Sequence, residues 1–226
     1  MIPLKERQKV KEVTLDMAGN MGLIVKKSFP KATLVIDRFH VQKLAYDAVQ
    51  EIRIKYRWEA IDAENEAIEL ARNNSLKHIP ELLSNGDTLK QLLARSRYIL
   101  YKTSRKWTES QYKRAEILFK LYPDIEKAYR LSQNLSWIYN NTEDKNSALI
   151  RLAKWDEKVR QAGFKSFNTI AKTMSVHYLN ILNFFDNRST NAAAESFNAK
   201  IKAFRAQFRG VRNVDFFLFR LSTIFA

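Results

Sequence analysis

Three acidic residues stand where carboxylates could share a metal ion. Asp16 ends the apolar stretch "VTLD", Asp37 ends "TLVID", and Glu195 is the one acid in the segment 189–210. Phosphoryl transfer on nucleic acid commonly uses two divalent ions about 4 Å apart. Hard ions such as Mg²⁺ and Mn²⁺ prefer carboxylate oxygens, which usually come from two or three separate elements. The three acids are therefore candidates for a metal-dependent site.

The segment around Glu195 predicts a helix with two different faces. Spacings of three and four residues place on one face Glu195, Asn198, Lys202, Arg205 and Arg209. Another face, which we expect to be buried, carries Phe197, Ile201, Phe204 and Phe208. Lys200 and Arg212 add to the positive charge, and such cations beside a metal site would hold a phosphate backbone. The alternative is an ordinary solvated helix in which Glu195 has no special role.

The elements that must position the two aspartates are short apolar stretches. "VTLD" and "TLVID" are separated by a helical pattern that Pro30 closes, which predicts a β-α-β unit with parallel strands and a right-handed crossover. Residues just past the carboxyl ends of parallel strands form the sites of such units. We therefore expect Asp16 and Asp37 at one edge of the sheet. His40 could be a ligand, could orient a carboxylate or could be a half-buried polar residue.

The middle of the chain predicts helices and no strand. The apolar periodicity and the breaks between apolar segments give helices over about 41–74, 87–101, 108–121, 123–141, 144–162, 166–185 and 213–225. Five glycines and four prolines in 226 residues also favour long helices over a turn-rich sheet.

Charge points to a polyanionic partner. Lysine and arginine number 39 against 24 acids, which gives a net charge of +15, so nucleic acid is the expected partner. A basic segment at 95–114 adds Arg105 and Lys106 as candidate DNA contacts, whereas its aromatic residues are expected in a helical core. The absence of cysteine excludes disulfides and thiolate chemistry. With no apolar run of about 20 residues, we expect a cytoplasmic protein without a membrane partner.

Two blocks of sequence resemble the DDE transposases of bacterial insertion sequences. They are "VTLDMAGNMGLIVKKSFPKATLVIDRFHVQKL" and "STNAAAESFNAKIKAFRAQFRGVRN", which carry a D-R-F-H-V strand and a late N-x-x-x-E-x-x-N-x-x-I-K helix. The resemblance implies a mainly α fold with a small α/β part, a partial RNase H-like (retroviral-integrase-like) core and a large all-helical insertion. The expected division is a core at 1–41, the insertion at 42–165 and C-terminal core helices at 166–226.

The same resemblance assigns roles to the candidate residues. Glu195 matches the glutamate of the catalytic triad and Asp16 the second aspartate, and both would hold Mg²⁺ or Mn²⁺. Asp37 and His40 match a D-x-x-H feature that supports the site from behind, together with Asn198. A competing assignment makes Asp16 and Asp37 the first two triad members. It is disfavoured because two strands and a helix, at about 5 residues per strand and 10 for the helix, do not fit between them.

This assignment leaves the first aspartate of the triad outside the sequence. The chain is then expected to be the C-terminal part of a transposase that is inactive alone and has an incomplete metal site. An alternative is a catalytically inactive DNA-binding or regulatory protein derived from a transposase. Either form would bind transposon ends and no small-molecule substrate, and an exposed sheet edge would favour a homodimer.

Overall fold

A computed structural model describes residues 3–17, 19–207 and 212–225. Its two strands are β1 (Glu12–Leu15) and β2 (Thr33–Ile36). Its α-helices are α1 (Leu4–Arg7), α2 (Gly19–Ser28), α3 (Arg38–Asn73), α4 (Leu89–Arg95), α5 (Glu109–Leu121), α6 (Pro123–Asn141), α7 (Lys145–Ala162), α8 (Lys165–Val176), α9 (Tyr178–Leu182), α10 (Phe184–Asn187), α11 (Ala192–Gln207) and α12 (Val214–Phe225). The fold is thus mainly helical with a small sheet, as predicted.

The chain divides into two compact units. The sheet unit combines Met1–Asp37 with Arg188–Ala226, and the helical unit is Arg38–Asn187. Helices α8 to α10 pack with α7 and with one another inside the helical unit. The predicted boundaries at residues 41 and 165 mark where a helical insertion would enter and leave an RNase H-like core. They stay a prediction.

The sheet unit is built on a parallel pair of strands. β1 and β2 pair from Glu12 with Thr33 to Leu15 with Ile36, which confirms the predicted parallel arrangement. Ile36 is buried on this sheet, and Val25 is buried on the connecting helix α2. Two parallel neighbours need a crossover of this kind, because a tight turn joins only antiparallel strands.

The two late helices of the sheet unit meet at an aromatic pair. The ring of Phe204 on α11 lies 5.4 Å from the ring of Phe217 on α12, and Phe204 is buried. Phe197 was predicted on the same buried stripe, but it is 47% exposed, so the prediction is wrong there. The contact with α12 is at Phe204, two turns further along the helix. Phe208 lies outside the described residues.

The helical unit is organised around the 36-residue helix α3. Its first half carries the buried residues, from Val41 to Arg53, and it packs against α4, α6 and α8. Its second half is largely solvated, and Trp58 and Leu70 are mostly exposed there. The amphipathic pattern of the sequence thus predicted the length of α3, while only half of its apolar stripe is covered.

Capping residues explain several boundaries of the helical unit. Thr88 and Thr108 each form a capping box with a glutamine three residues later, at the starts of α4 and α5. Gly163 ends α7 with φ 76°, a left-handed conformation that glycine adopts without steric cost. Among the described helices, none is both long and apolar enough to cross a membrane.

Two predicted helices are shorter than expected. The helix expected over 87–101 ends at Arg95 and is followed by single 3₁₀ turns at Ile99–Tyr101 and Ser104–Lys106. At this end the Ser96 hydroxyl donates to the Leu92 carbonyl, a side-chain bond that competes with continuation of the helix. The helix expected over 166–185 is broken into α8, α9 and α10, with non-helical backbone at His177.

Candidate metal centre

The parallel register places two aspartates at the same end of the sheet. Asp16 follows the last residue of β1 and Asp37 follows the last residue of β2. The backbone N–H of Asp37 donates to the Leu15 carbonyl over 3.0 Å, so the ladder continues to this position and keeps the two chain ends adjacent. Asp37 is buried, with 1% of its surface exposed, and Asp16 is half-buried.

The start of α11 is hydrogen-bonded to this end of the sheet. The Asn191 N–H, just before the helix, donates to the Asp37 carboxylate over 2.9 Å. The Ser189 hydroxyl donates to the Glu12 carboxylate over 2.5 Å, which ties the same segment to β1. A helix N-terminus favours a negative charge because its first N–H groups lack partners within the helix. The buried Asp37 carboxylate therefore fixes where α11 begins.

Glu195 is brought to Asp37 by this docking. It lies in the first turn of α11, and its N–H donates to the Asn191 carbonyl over 2.8 Å. A carboxylate oxygen of Glu195 lies within 4.8 Å of one of Asp37. Two negative charges this close repel each other, although solvent on the Glu195 side screens part of the repulsion. A cation between them removes that cost.

The donor set of this carboxylate pair fits a hard divalent ion. Carboxylate oxygens suit Mg²⁺ and Mn²⁺, and the pair comes from two separate elements, a strand end and a helix start. Glu195 is exposed while Asp37 is buried, so an ion held here would face solvent on the Glu195 side. Such an ion would be accessible to a phosphate group.

Comparison with known proteins gives the family. A model described as that of a transposase, for the ISL3 group of DDE transposases, matches residues 1–221. The chain belongs to this transposase family. It is 22% identical over 226 residues to the transposase for insertion sequence element IS1001 of Bordetella parapertussis. The match covers 99% of this chain and 50% of that protein, so the chain spans about half the length of the curated relative. No solved structure is significantly similar.

The structure groups Asp37 with Glu195, whereas the resemblance had assigned the metal to Asp16 and Glu195. Asp37 belongs to the close group with Glu195 and Asp16 does not, while the supporting role assigned to Asp37 stays a prediction. The role of Asp16 therefore stays a prediction. His40 lies in the first turn of α3, half-buried, three residues after Asp37.

Those predicted DNA-contacting residues of the transposase chain that the structure describes are exposed. Lys202 and Arg205 are exposed on α11, as are Asn198 and Lys200, and Arg212 is exposed just before α12. Arg209 lies outside the described residues. Arg105 and Lys106 are exposed in a 3₁₀ turn of the helical unit.

The aromatic residues of the basic segment 95–114 behave differently from one another. The Trp107 indole donates to the Ile99 carbonyl over 2.9 Å, and its ring packs 5.5 Å from that of Tyr129. This residue belongs to the core of the helical unit, as expected. Tyr98 and Tyr112 are more than half exposed, so for these two the expectation of a core position is wrong.

Sequence reasoning missed the residue that joins the two parts of the site. Asn191 acts through its backbone N–H, which any residue other than proline would provide. Ser189, Thr190 and Asn191 are of types that commonly cap helix starts, and this is the signal that the sequence offers here. The partner of that N–H, Asp37, is 154 residues away, and no local pattern indicates such a pair.

Proposed function

We propose that this chain forms part of the catalytic centre of an insertion-sequence transposase. The complete enzyme would cleave and transfer DNA strands with Mg²⁺ or Mn²⁺. Family membership supports this reaction class. The observation that carries the site is the pair of carboxylates of Asp37 and Glu195, within 4.8 Å of each other.

Each residue of the proposed site has a role that follows from its position. Asp37 and Glu195 supply oxygens to the ion, and Asp16, at the same end of the sheet, supplies a further carboxylate. The Asn191 N–H holds one Asp37 oxygen, which leaves the orientation of that carboxylate defined. When bound, divalent ions activate the attacking oxygen and stabilise the leaving one.

The proposal includes a partial RNase H-like core. Two parallel strands with acids at their carboxyl ends, joined by a helix and completed by a late helix with a glutamate, are consistent with that fold. The first aspartate of the triad would lie on a strand that none of the described residues forms. We therefore expect residues 1–226 alone to bind DNA without cleaving it.

Lys202 and Arg205, together with the net charge of +15, support DNA as the substrate. Each phosphate contact made by a cation releases counterions, so affinity should fall steeply with salt. Replacing either residue with alanine should weaken binding to all sequences alike and lower the salt slope by about one. The predicted homodimer remains part of the proposal, with the edges of the two-stranded sheet as the pairing surface.

Manganese binding tests the proposed site directly. Titration of the protein with Mn²⁺, followed by electron paramagnetic resonance, should show binding that falls at least tenfold in Asp37→Asn and in Glu195→Gln. Asp215→Asn is the matched control, because Asp215 is an exposed acid in the first turn of α12. Circular dichroism of each variant checks the fold.

The outcomes of this titration separate the assignments. Loss of binding in Asp16→Asn as well would place Asp16 among the ligands. Binding that neither Asp37→Asn nor Glu195→Gln alters would refute the site. Salt-sensitive DNA binding with no Mn²⁺ binding at all would favour the second candidate, an inactive DNA-binding or regulatory protein.

A further inference from the structure

A groove between α6 and α7 of the helical unit is lined by cations. The groove has a volume of about 530 Å³, and its lining includes Lys127 and Arg130 on α6 and Lys158 on α7. None of the described residues that line it is acidic, and the others are Leu131, Asn134, Gln161 and Ala162. A surface that gathers charges of one sign attracts the opposite charge. The groove therefore favours an anionic ligand.

Two lysines reach across the groove from opposite walls. The Lys127 Nζ donates to the Ala162 carbonyl at the end of α7 over 3.4 Å. The Lys158 Nζ donates to the Asn134 side-chain oxygen on α6, also over 3.4 Å. Both contacts are long, and an ammonium group has three N–H donors. Each lysine can therefore donate to a further acceptor while its side chain stays over the groove.

The third cation of the lining is held by a pair on its own helix. The Arg130 Nε and Nη2 donate to one Glu126 oxygen over 3.0 and 2.6 Å. Glu126 lies one turn earlier on α6 and does not line the groove. An exposed pair at this spacing is weak, and a guanidinium has five N–H donors. Arg130 can therefore bind a phosphate without first losing Glu126.

The positive charge continues along α7 beyond the groove. Lys154 is exposed and precedes Lys158 by four residues, so it lies on the same face of the helix, about 6 Å away along the axis. Arg151 lies one turn earlier, with its guanidinium 4.9 Å from the centre of the Trp137 ring on α6. A DNA strand presents a phosphate about every 3.4 Å along the duplex axis. Cations at these intervals can therefore contact separate phosphates.

We propose that this groove binds the phosphate backbone of duplex DNA. Lys127, Arg130 and Lys158 hold phosphates in the groove, and Lys154 holds one further along the strand. The proposal rests on DNA as the ligand of this chain, as proposed above, and it adds a second DNA contact in the helical unit. Because phosphates carry no sequence information directly, binding here is independent of DNA sequence.

The double variant Lys127→Ala/Lys158→Ala tests the groove. Residues 1–226 are titrated with a fluorescently labelled duplex, and separately with one of its strands, and anisotropy is followed at about 50–200 mM salt. We expect the affinity for the duplex to fall about tenfold, because two phosphate contacts and their counterion release are lost. The slope of log affinity against log salt should decrease by about two.

A matched control removes the same charge elsewhere in the helical unit. Lys43 and Lys55 are exposed lysines of α3 that do not line the groove. Lys43→Ala/Lys55→Ala lowers the net charge by the same amount, and it should weaken duplex binding less than threefold and leave the salt slope unchanged. Circular dichroism checks that both double variants keep their helices. Equal losses in the two variants would show an effect of net charge alone and would overturn the proposal.

Combination with the α11 cations separates this proposal from the proposed function. If both surfaces contact one duplex, adding Lys202→Ala/Arg205→Ala to Lys127→Ala/Lys158→Ala should multiply the two losses of affinity. A combined loss no larger than that of Lys202→Ala/Arg205→Ala would overturn the groove and leave α11 as the DNA contact. A loss confined to the single strand would also overturn the proposal. If the wild type binds no DNA, DNA as the substrate fails together with the groove, while the Mn²⁺ titration still tests the metal centre.

Discussion

The two units differ in how completely they cover their own apolar side chains. In the helical unit Trp155, Phe167 and Phe184 are each at most 1% exposed. In the sheet unit the last helix exposes Phe219 by 64% and Leu218 by 51%. Most of the free energy that resists unfolding should therefore lie in the helical unit, while the candidate chemistry lies in the sheet unit.

This difference has a consequence for how each unit tolerates change. Close-packed interiors lose stability when a large side chain is removed, because the cavity that remains cannot fully collapse. Truncating an exposed aromatic side chain on a partly covered helix costs little stability. The two kinds of position can therefore be compared directly by substitution.

The largest effect is expected from Trp155→Ala in the helical unit. Trp155 is 1% exposed and its indole donates to the Leu131 carbonyl over 2.9 Å, so the substitution removes both packing and a buried hydrogen bond. We expect the free energy of unfolding in urea to fall by about 3–5 kcal/mol. Phe219→Ala in α12 is the counterpart and should change it by about 0.5 kcal/mol or less. Similar losses of stability in Trp155→Ala and Phe219→Ala would contradict the proposed difference between the two units.

A smaller effect is expected from Asp87→Ala, which tests a buried charge of the helical unit. Asp87 is 1% exposed and its carboxylate accepts from Arg95 and, over 3.1 Å, from the Arg114 Nε. Removal of the acid leaves two cations without their partner, which should cost about 3 kcal/mol. The exposed pair of Glu59 with Lys55 is the control, and Glu59→Ala should cost less than about 0.5 kcal/mol in the same urea titration. Equal costs would show that burial of the pair does not matter.

Local sequence patterns predicted the helices and strands whose ends are set by residues close to them in the sequence. The helix expected over 123–141 is observed at Pro123–Asn141, because proline fits the first helical position and Asp124 and Glu126 favour the first turn. The parallel pair was predicted because two short apolar stretches flank one helical pattern. In both cases the determining residues are neighbours in sequence.

Contacts between distant residues were beyond what the sequence patterns could indicate. The pairing of Asp37 with the start of α11 depends on a backbone donor, and the proximity of Glu195 to Asp37 follows from that pairing. The buried Asp87 follows Asn85 and Gly86, whose residue types indicate a turn and do not indicate burial of the next residue. The break at His177 has no proline or glycine to mark it.

The smallest of the expected effects is a pH dependence in the helical unit. Burial raises the pKa of Tyr129 to about 12 from its ordinary value of 10, and its hydroxyl donates to the Lys102 carbonyl over 2.8 Å. The folded state thus favours the neutral phenol. Its contribution to stability is present below pH 10 and is lost as the pH rises through 12.

Comparison of the wild type with Tyr129→Phe isolates this contribution. Between pH 10 and pH 11 the wild type should lose about 1 kcal/mol more stability than Tyr129→Phe, because only the wild type has a phenol here that ionises in the unfolded state while the folded state keeps it neutral. Urea titrations at the two pH values measure it. Tyr98→Phe, on a residue that is 66% exposed, is the control and should follow the wild type. An identical pH dependence of wild type and Tyr129→Phe would mean that the phenol is not held neutral by the core, and the interior of the helical unit would then be more hydrated than its burial indicates.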